Sequence, residues 1–141
     1  MMVLVDTSVW SLSLRRQGHN LTEPQKRIFD EVAELIGEAR ARLIGPVRQE
    51  LLSGIRRDAQ CQRLRQALRA FEDPALAVED YEEAARLANL CRTRGVAGSP
   101  TDFLICAAAL RREWSIFTTD QDFLRYARLL PLQLHQPRPG A

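Results

Sequence analysis

The chain has 141 residues, of which 45% are hydrophobic and 27% are charged, and its formal net charge is +2. This length suits one domain with a substantial core and is short for two. No apolar run approaches the roughly 20 residues that cross a bilayer, and no basic region precedes an apolar stretch at the N-terminus. We therefore expect a cytoplasmic protein without a membrane span or a signal peptide.

Strand and helix patterns alternate along the chain. Apolar runs predict strands at about residues 2–6, 43–44, 75–78, 114–118 and 132–134. Helical spacing and start signals predict helices from Ser8, over 22–39, 46–52, 58–72, 79–94 and 100–113, and from Asp120. Crossovers long enough for helices imply a mostly parallel sheet covered on both faces. Residues 1–135 are predicted to form a single domain, and the Pro-rich residues 136–141 a flexible C-terminal tail.

Carboxylates follow the predicted strands at what should be one edge of the sheet. Asp6 closes the first strand and Asp120 the strand 114–118, and the carboxyl ends of neighbouring parallel strands are where open α/β folds place their sites. Glu50 follows the second strand by one helical turn, Asp102 lies in the first turn of a helix, and Asp122 lies just beyond Asp120. Crowded carboxylates repel unless a cation holds them or one keeps a proton. Hard divalent cations such as Mg²⁺ or Mn²⁺ suit an all-oxygen site.

Each acid also has a simpler explanation. Asp6 and Asp120 could be helix N-caps, Asp102 and Asp122 could serve the helix dipole, and Glu50 could be a solvated helix residue. Helix capping alone does not require acids from several different loops to lie at the same edge of the sheet. Their grouping there therefore favours a shared site. Neighbouring hydroxyls can orient carboxylates or bound water, and the candidates are Thr7, Ser8, Thr118 and Thr119.

Four segments resemble those of the PIN-domain ribonucleases. They are Asp6-Thr7-Ser8-Val9, Pro46-(x)3-Glu50-Leu51, Asp102-(x)2-Ile105-(x)2-Ala108 and Thr118-x-Asp120-x-Asp122-Phe123. The resemblance covers residues 2–134, and the length and layout are most similar to the VapC toxins of type II toxin–antitoxin pairs. It implies a PIN-like three-layer α/β/α fold with a mostly parallel central sheet of four to five strands.

The same resemblance implies a Mg²⁺- or Mn²⁺-dependent endoribonuclease with a small antitoxin partner and a second copy of the chain in a homodimer. The family's acidic quartet matches Asp6, Glu50, Asp102 and Asp120. Its frequent fifth acid matches Asp122, and its supporting hydroxyls match Thr7 or Ser8 and Thr118. We predict as metal ligands Asp6, Asp102 and Asp120. Glu50 would hold a second metal or orient the attacking water, and Asp122 would join through water.

Two other functional classes remain open. A PIN fold can also be a non-catalytic RNA-binding or assembly module. Asp-dependent phosphatases and phosphoreceivers also place an Asp after the first strand, but they normally use a lysine late in the chain. The only lysine here is Lys26, on an early helix, and no second Asp follows Asp6 by two residues.

Arginines near the acid-bearing segments are candidate contacts to an RNA backbone, because guanidinium groups bind phosphates in a bidentate manner. They could equally be solvated residues on helix faces. These candidates are Arg15, Arg16, Arg48, Arg56 and Arg57.

Overall fold

A computed structural model describes residues 1–15 and 20–139. Within these residues, three strands form a parallel sheet in the order β2-β1-β3. The strands are β1 (Val3–Val5), β2 (Ala41–Arg42) and β3 (Ser115–Phe117). The helices are α1 (Thr7–Arg15), α2 (Glu23–Gly37), α3 (Gly45–Ser53), α4 (Asp58–Leu68), α5 (Val78–Thr93), α6 (Pro100–Arg112) and α7 (Asp122–Leu129). The predicted α/β class with a parallel sheet is confirmed.

The predicted number of four to five strands is wrong for the described residues, which contain three. The apolar run at 75–78 does not form a strand because α5 begins within it, at Val78. The Asp80 carboxylate accepts a hydrogen bond of 2.8 Å from the Ala77 backbone N–H, which fixes this helix start. Backbone N–H groups bound at a helix N-terminus cannot enter a sheet ladder.

The run at 132–134 reaches the sheet but makes only an isolated parallel bridge, between Ile116 and Leu134. The Ile116 N–H donates to the Gln133 carbonyl at 2.8 Å, and the His135 N–H donates to the Ile116 carbonyl at 2.7 Å. Pro131 precedes this contact and Pro137 follows it, and proline has no N–H for a ladder. The predicted edge strand is therefore reduced to one bridge beside β3.

The strands lie in the middle of the core. Every residue of β1 and β3 is buried, and successive strand residues point to opposite faces, so both faces of the sheet are covered. Helix α6 has six buried residues and packs along α5. No helix in the described ranges is long and apolar enough to span a bilayer.

A buried ion cluster joins α5 to α6. Asp80 on α5 is fully buried, and its carboxylate accepts hydrogen bonds from Arg111 and from Arg112, the latter at 2.7 and 3.0 Å. The hydrogen bonds from Arg112 hold the pKa of Asp80 well below its usual range. Because α6 also carries Asp102, this cluster fixes the helix that supplies one of the candidate site residues.

The segment after the bridge is held against α2 by ion pairs. Buried Glu31 lies 2.6 Å from His135 Nε2 and accepts a hydrogen bond of 2.7 Å from Arg138. Arg138 also donates to Glu38 at 3.0 Å. Arg138 thus anchors part of the segment predicted to be a flexible tail, while residues 140 and 141 lie outside the described part of the chain. The division at residue 135 stays a prediction.

Candidate active site

Asp6 is buried where β1 ends, at the carboxyl edge of the sheet. Its backbone N–H donates to the Phe117 carbonyl at 2.9 Å, which fixes the end of β1 beside β3. Its Oδ2 atom accepts hydrogen bonds from Ser8 Oγ at 2.9 Å and from Thr118 Oγ1 at 2.7 Å. These two hydroxyls satisfy a carboxylate that is only 6% exposed, which would otherwise carry a large desolvation cost.

The same two hydroxyls shape the loop after β3. Ser8 Oγ accepts a hydrogen bond of 3.1 Å from the Thr119 N–H, and Thr118 Oγ1 accepts one of 3.0 Å from the Asp120 N–H. Asp120 Oδ1 in turn accepts a hydrogen bond of 2.9 Å from the Asp122 N–H at the start of α7. Asp120 is therefore not the N-cap of α7, which is Gln121, but its side chain binds the first N–H of this helix, and this contact fixes the orientation of its carboxylate.

Three carboxylates lie together just outside this edge. Asp102, Asp120 and Asp122 each offer one oxygen, and these oxygens all lie within 4.8 Å of one another. Asp102 is placed by the N-cap of α6, where Ser99 Oγ accepts a hydrogen bond of 3.1 Å from the Asp102 N–H. A set of carboxylate oxygens at this spacing fits the ligand preference of Mg²⁺ or Mn²⁺.

This cluster differs in one member from the predicted ligand set of Asp6, Asp102 and Asp120. Asp122, which was expected to act only through water, has an oxygen within the cluster. Asp6 lies beside it and is linked to Asp120 through Thr118. The structure thus brings all four aspartates to one region, with buried Asp6 linked to the other three through Thr118 and by its charge.

The carboxylates influence one another electrostatically. Burial raises the pKa of Asp102, and the negative charges of Asp6 and Asp120 raise it further. Hydrogen bonds from the hydroxyls of Tyr126 and Ser99 oppose this rise in pKa. A cation would relieve the repulsion that disfavours the ionised form of Asp102.

Glu50 reaches the same region from α3. Thr7 Oγ1 donates to its Oε1 at 3.2 Å. Partial burial raises the pKa of Glu50, as do the charges of Asp6 and Asp102, whereas the hydrogen bond from Thr7 lowers it. Glu50 also borders an open cavity of about 500 Å³, whose lining residues include Ser11, Gln49, Ser53 and Thr101.

Tyr126 and Arg125 are site residues that the sequence did not reveal. The Tyr126 hydroxyl donates to Asp102 Oδ2 at 2.7 Å, and the exposed Arg125 pairs with Asp122. Burial raises the pKa of Tyr126, and so does its hydrogen bond to Asp102, so the phenol stays a donor near neutral pH. A tyrosine among apolar helix residues signals a need for a polar partner, but the partner, 24 residues away, could not be read from spacing.

Among the candidate RNA-binding arginines, Arg48 is already engaged. It donates to Asp73 at 2.8 Å and to the carbonyls of Leu68 and Phe71, so it holds the end of α4 instead of facing solvent freely. Two other candidates are exposed where α4 begins, namely Arg56 and Arg57. Arg16 and the side chain of Arg15 lie outside the described part of the chain.

Comparison with known proteins agrees with this architecture. A sequence model of the PIN domain matches residues 3–129. The fold is similar to that of FitAcB from Neisseria gonorrhoeae, with a TM-score of 0.73 and 20% identity over 96% of this chain and 98% of that one. VapBC2 from Rickettsia felis, bound to a DNA fragment from its promoter, gives a TM-score of 0.73 and 16% identity over 96% and 98%.

A toxin–antitoxin complex from Klebsiella pneumoniae gives a TM-score of 0.60 and 19% identity over 86% of this chain and 89% of that one. Sequence comparison with curated proteins gives no match. At these identities the structural likenesses establish the fold.

Proposed function

This chain belongs to the PIN-domain family, and from that premise we propose that it is a Mg²⁺- or Mn²⁺-dependent endoribonuclease, the toxin of a toxin–antitoxin pair. The observation that carries the proposal is the cluster of Asp102, Asp120 and Asp122 beside buried Asp6. Such crowding costs stability in the absence of a cation, and a non-catalytic module would gain nothing from it.

Some of these side chains would hold a cation, and another would orient the water that acts as the nucleophile. Asp102, Asp120 and Asp122 would hold the ion, and the neighbouring Asp6 would contribute directly or through water. When bound, such an ion lowers the pKa of a water and stabilises charge that develops on phosphate oxygens. Glu50, which borders the open cavity, would orient the attacking water or hold a second ion.

Hydroxyl groups keep this site in place before substrate binds. Ser8 and Thr118 fix the Asp6 carboxylate, and Thr7 fixes Glu50. Because these donors are already hydrogen-bonded, little rearrangement is needed when charge develops, which is the condition for electrostatic stabilisation of a transition state. RNA would lie along the open cavity that Glu50 borders, next to the acids.

The antitoxin would bind the opposite end of α1. Leu14, Ile55 and Leu64 line a cavity of about 430 Å³ whose rim includes Arg56 and Arg63. An apolar peptide with acidic residues would complement this surface. The RNA substrate, the homodimer and the cytoplasmic location are proposed from the family resemblance, and the Klebsiella pneumoniae complex shows this fold within a toxin–antitoxin assembly.

RNA cleavage by the purified chain tests the proposal. We expect cleavage with Mg²⁺ or Mn²⁺, none with a chelator, and a loss of at least about 100-fold in Asp120→Asn. Asparagine retains the oxygen that accepts the Asp122 N–H, so helix α7 should remain in place. Asp30→Asn, at an exposed position on α2, is the matched control and should cleave normally. Cleavage that survives both chelation and Asp120→Asn would refute the assignment.

A further inference from the structure

The hydroxyl of Tyr126 links α7, which carries Asp122, to α6, which carries Asp102. We propose that Tyr126 is a positioning residue for the metal site, holding one oxygen of Asp102 so that the carboxylate presents its other oxygen to a cation shared with Asp120 and Asp122. This inference rests on the proposed function and deepens it.

The contact joins α7 to α6 inside the site. The phenol of Tyr126 donates to Asp102 Oδ2 at 2.7 Å, and the tyrosine is fully buried. Asp122 lies four residues before Tyr126 on the same helix, so both occupy one face of α7. A carboxylate has two oxygens with about four lone-pair sites, so a phenol on one oxygen leaves the other for a cation. The spacing between Asp102 and Asp122 is therefore set partly by this hydrogen bond.

The ring of Tyr126 has little freedom to take another position. It packs against Phe103 and Phe123, with ring centroids 5.0 and 5.2 Å away. Gly98 lies against the hydroxyl end of the ring, where a Cβ atom would stand 2.1 Å from the phenol oxygen and 2.7 Å from the ring carbon that bears it. The absence of a side chain at Gly98 is thus what lets the hydroxyl reach Asp102. Core packing explains why the Tyr126 ring is buried. It does not require that the acceptor of its hydroxyl hydrogen bond be an acid of the cluster.

Two substitutions perturb the hydroxyl in different ways. Tyr126→Phe removes it and keeps the ring, whereas Gly98→Ala keeps it and displaces it from Asp102. Loss of a hydrogen bond that orients a metal ligand typically weakens metal binding 10- to 100-fold, so we expect both variants to bind Mn²⁺ about 10-fold more weakly. The matched controls are Tyr81→Phe, at a tyrosine that is 51% exposed, and Gly37→Ala, where an added Cβ meets nothing within 4 Å.

The experiment measures Mn²⁺ affinity by calorimetry, together with RNA cleavage across a range of Mn²⁺ concentrations. It is run at a temperature where circular dichroism shows every variant to be folded. We expect the Mn²⁺ dependence of cleavage to shift by the same factor as the Kd in both test variants, with most of the rate recovered at saturating Mn²⁺. Both controls should match the original chain. Should Gly98→Ala not fold, Tyr126→Phe decides alone.

The outcomes separate this inference from the proposed function. If Tyr126→Phe binds Mn²⁺ as tightly as the original chain while Asp102→Asn loses binding, the positioning role is wrong and the metal site stands. If Tyr126→Phe only lowers the melting temperature and leaves the Kd unchanged, the hydroxyl is purely structural and the inference is also overturned. If the original chain neither binds Mn²⁺ nor cleaves RNA, the proposed function fails, and the inference with it.

Discussion

Without a bound cation, the protein should become more stable when Asp102 loses its charge. The cluster oxygens lie within 4.8 Å of one another, and two unit charges at that distance repel by about 0.9 kcal/mol in a water-like medium and about 3.5 kcal/mol at an effective dielectric constant of 20. Because these side chains are partly exposed, we take the lower value for each of the two pairs within the cluster, with Asp120 and with Asp122. The charge of Asp6 acts in the same direction. Replacing a charge-assisted hydrogen bond from Tyr126 by a neutral one costs about 1 kcal/mol. Asp102→Asn should then stabilise the metal-free protein by about 1 kcal/mol.

The melting temperature in EDTA measures this gain. With about 2.1 cal/mol/K per residue, unfolding of this chain has an entropy near 0.3 kcal/mol/K, so Asp102→Asn should melt about 3 °C higher at pH 7. The pKa of Asp102 is raised in the folded state, so the folded protein loses stability as pH rises through that value. The advantage of the variant should therefore grow as the pH rises through the raised pKa of Asp102 and disappear below about pH 4. Asp30→Asn is the control and should show neither effect.

A divalent cation should reverse the order of the melting temperatures of the original chain and Asp102→Asn. At a Mn²⁺ concentration ten times the Kd, the original chain gains about 1.4 kcal/mol, or 4 to 5 °C, whereas Asp102→Asn should gain little. A metal-free Asp102→Asn that melts below the original chain would contradict the calculated repulsion. An equal gain in Mn²⁺ for both proteins would show that Asp102 does not hold the ion.

Three further predictions concern the fold around the site. Asp80→Asn should lower the unfolding free energy by about 3 kcal/mol in urea titrations at pH 7, with the exposed Glu79→Gln as control, because two arginines lose a buried partner. Since the pKa of Asp80 is lowered on folding, this difference should shrink as the pH falls below about 4, and a change under about 0.5 kcal/mol would contradict the role of the ion cluster. Glu31→Gln should speed hydrogen exchange of the Arg138 backbone N–H, which donates to Glu31, and an unchanged exchange rate in NMR would show that the ion pairs do not hold this segment. In the native protein a thiol reagent should label Cys61 alone, because the other two cysteines are buried with raised pKa values, and equal labelling of all three would contradict this.

The sequence was sufficient to place Asp6, Asp102 and Asp120 together. Each follows a strand or begins a helix, and in a parallel sheet these positions share the carboxyl edge whatever the details of packing. The oxygen that Asp122 contributes to the cluster and the hydrogen bond from Tyr126 to Asp102 depend on how α7 packs against α6. That placement is set by side-chain packing between segments distant in the chain, and no local pattern encodes it.

The strand prediction failed for a comparable reason. The run at 75–78 has the apolar composition of a strand, but the Asp80 carboxylate binds the Ala77 N–H and starts a helix there. Composition alone does not separate these two outcomes over four residues. At 132–134 the chain does reach β3, and the flanking prolines limit the pairing to one bridge.

The chemistry of the RNA ends tests the proposed function most directly. Water activated at the acid cluster would attack the phosphorus and leave a 5′-phosphate and a 3′-hydroxyl, without use of the RNA 2′-hydroxyl. Mapping the product ends formed by the purified chain in Mg²⁺ should show these two groups, and no new ends should form in EDTA. A 2′,3′-cyclic phosphate, or the same ends formed in EDTA, would contradict metal-dependent hydrolysis at this site.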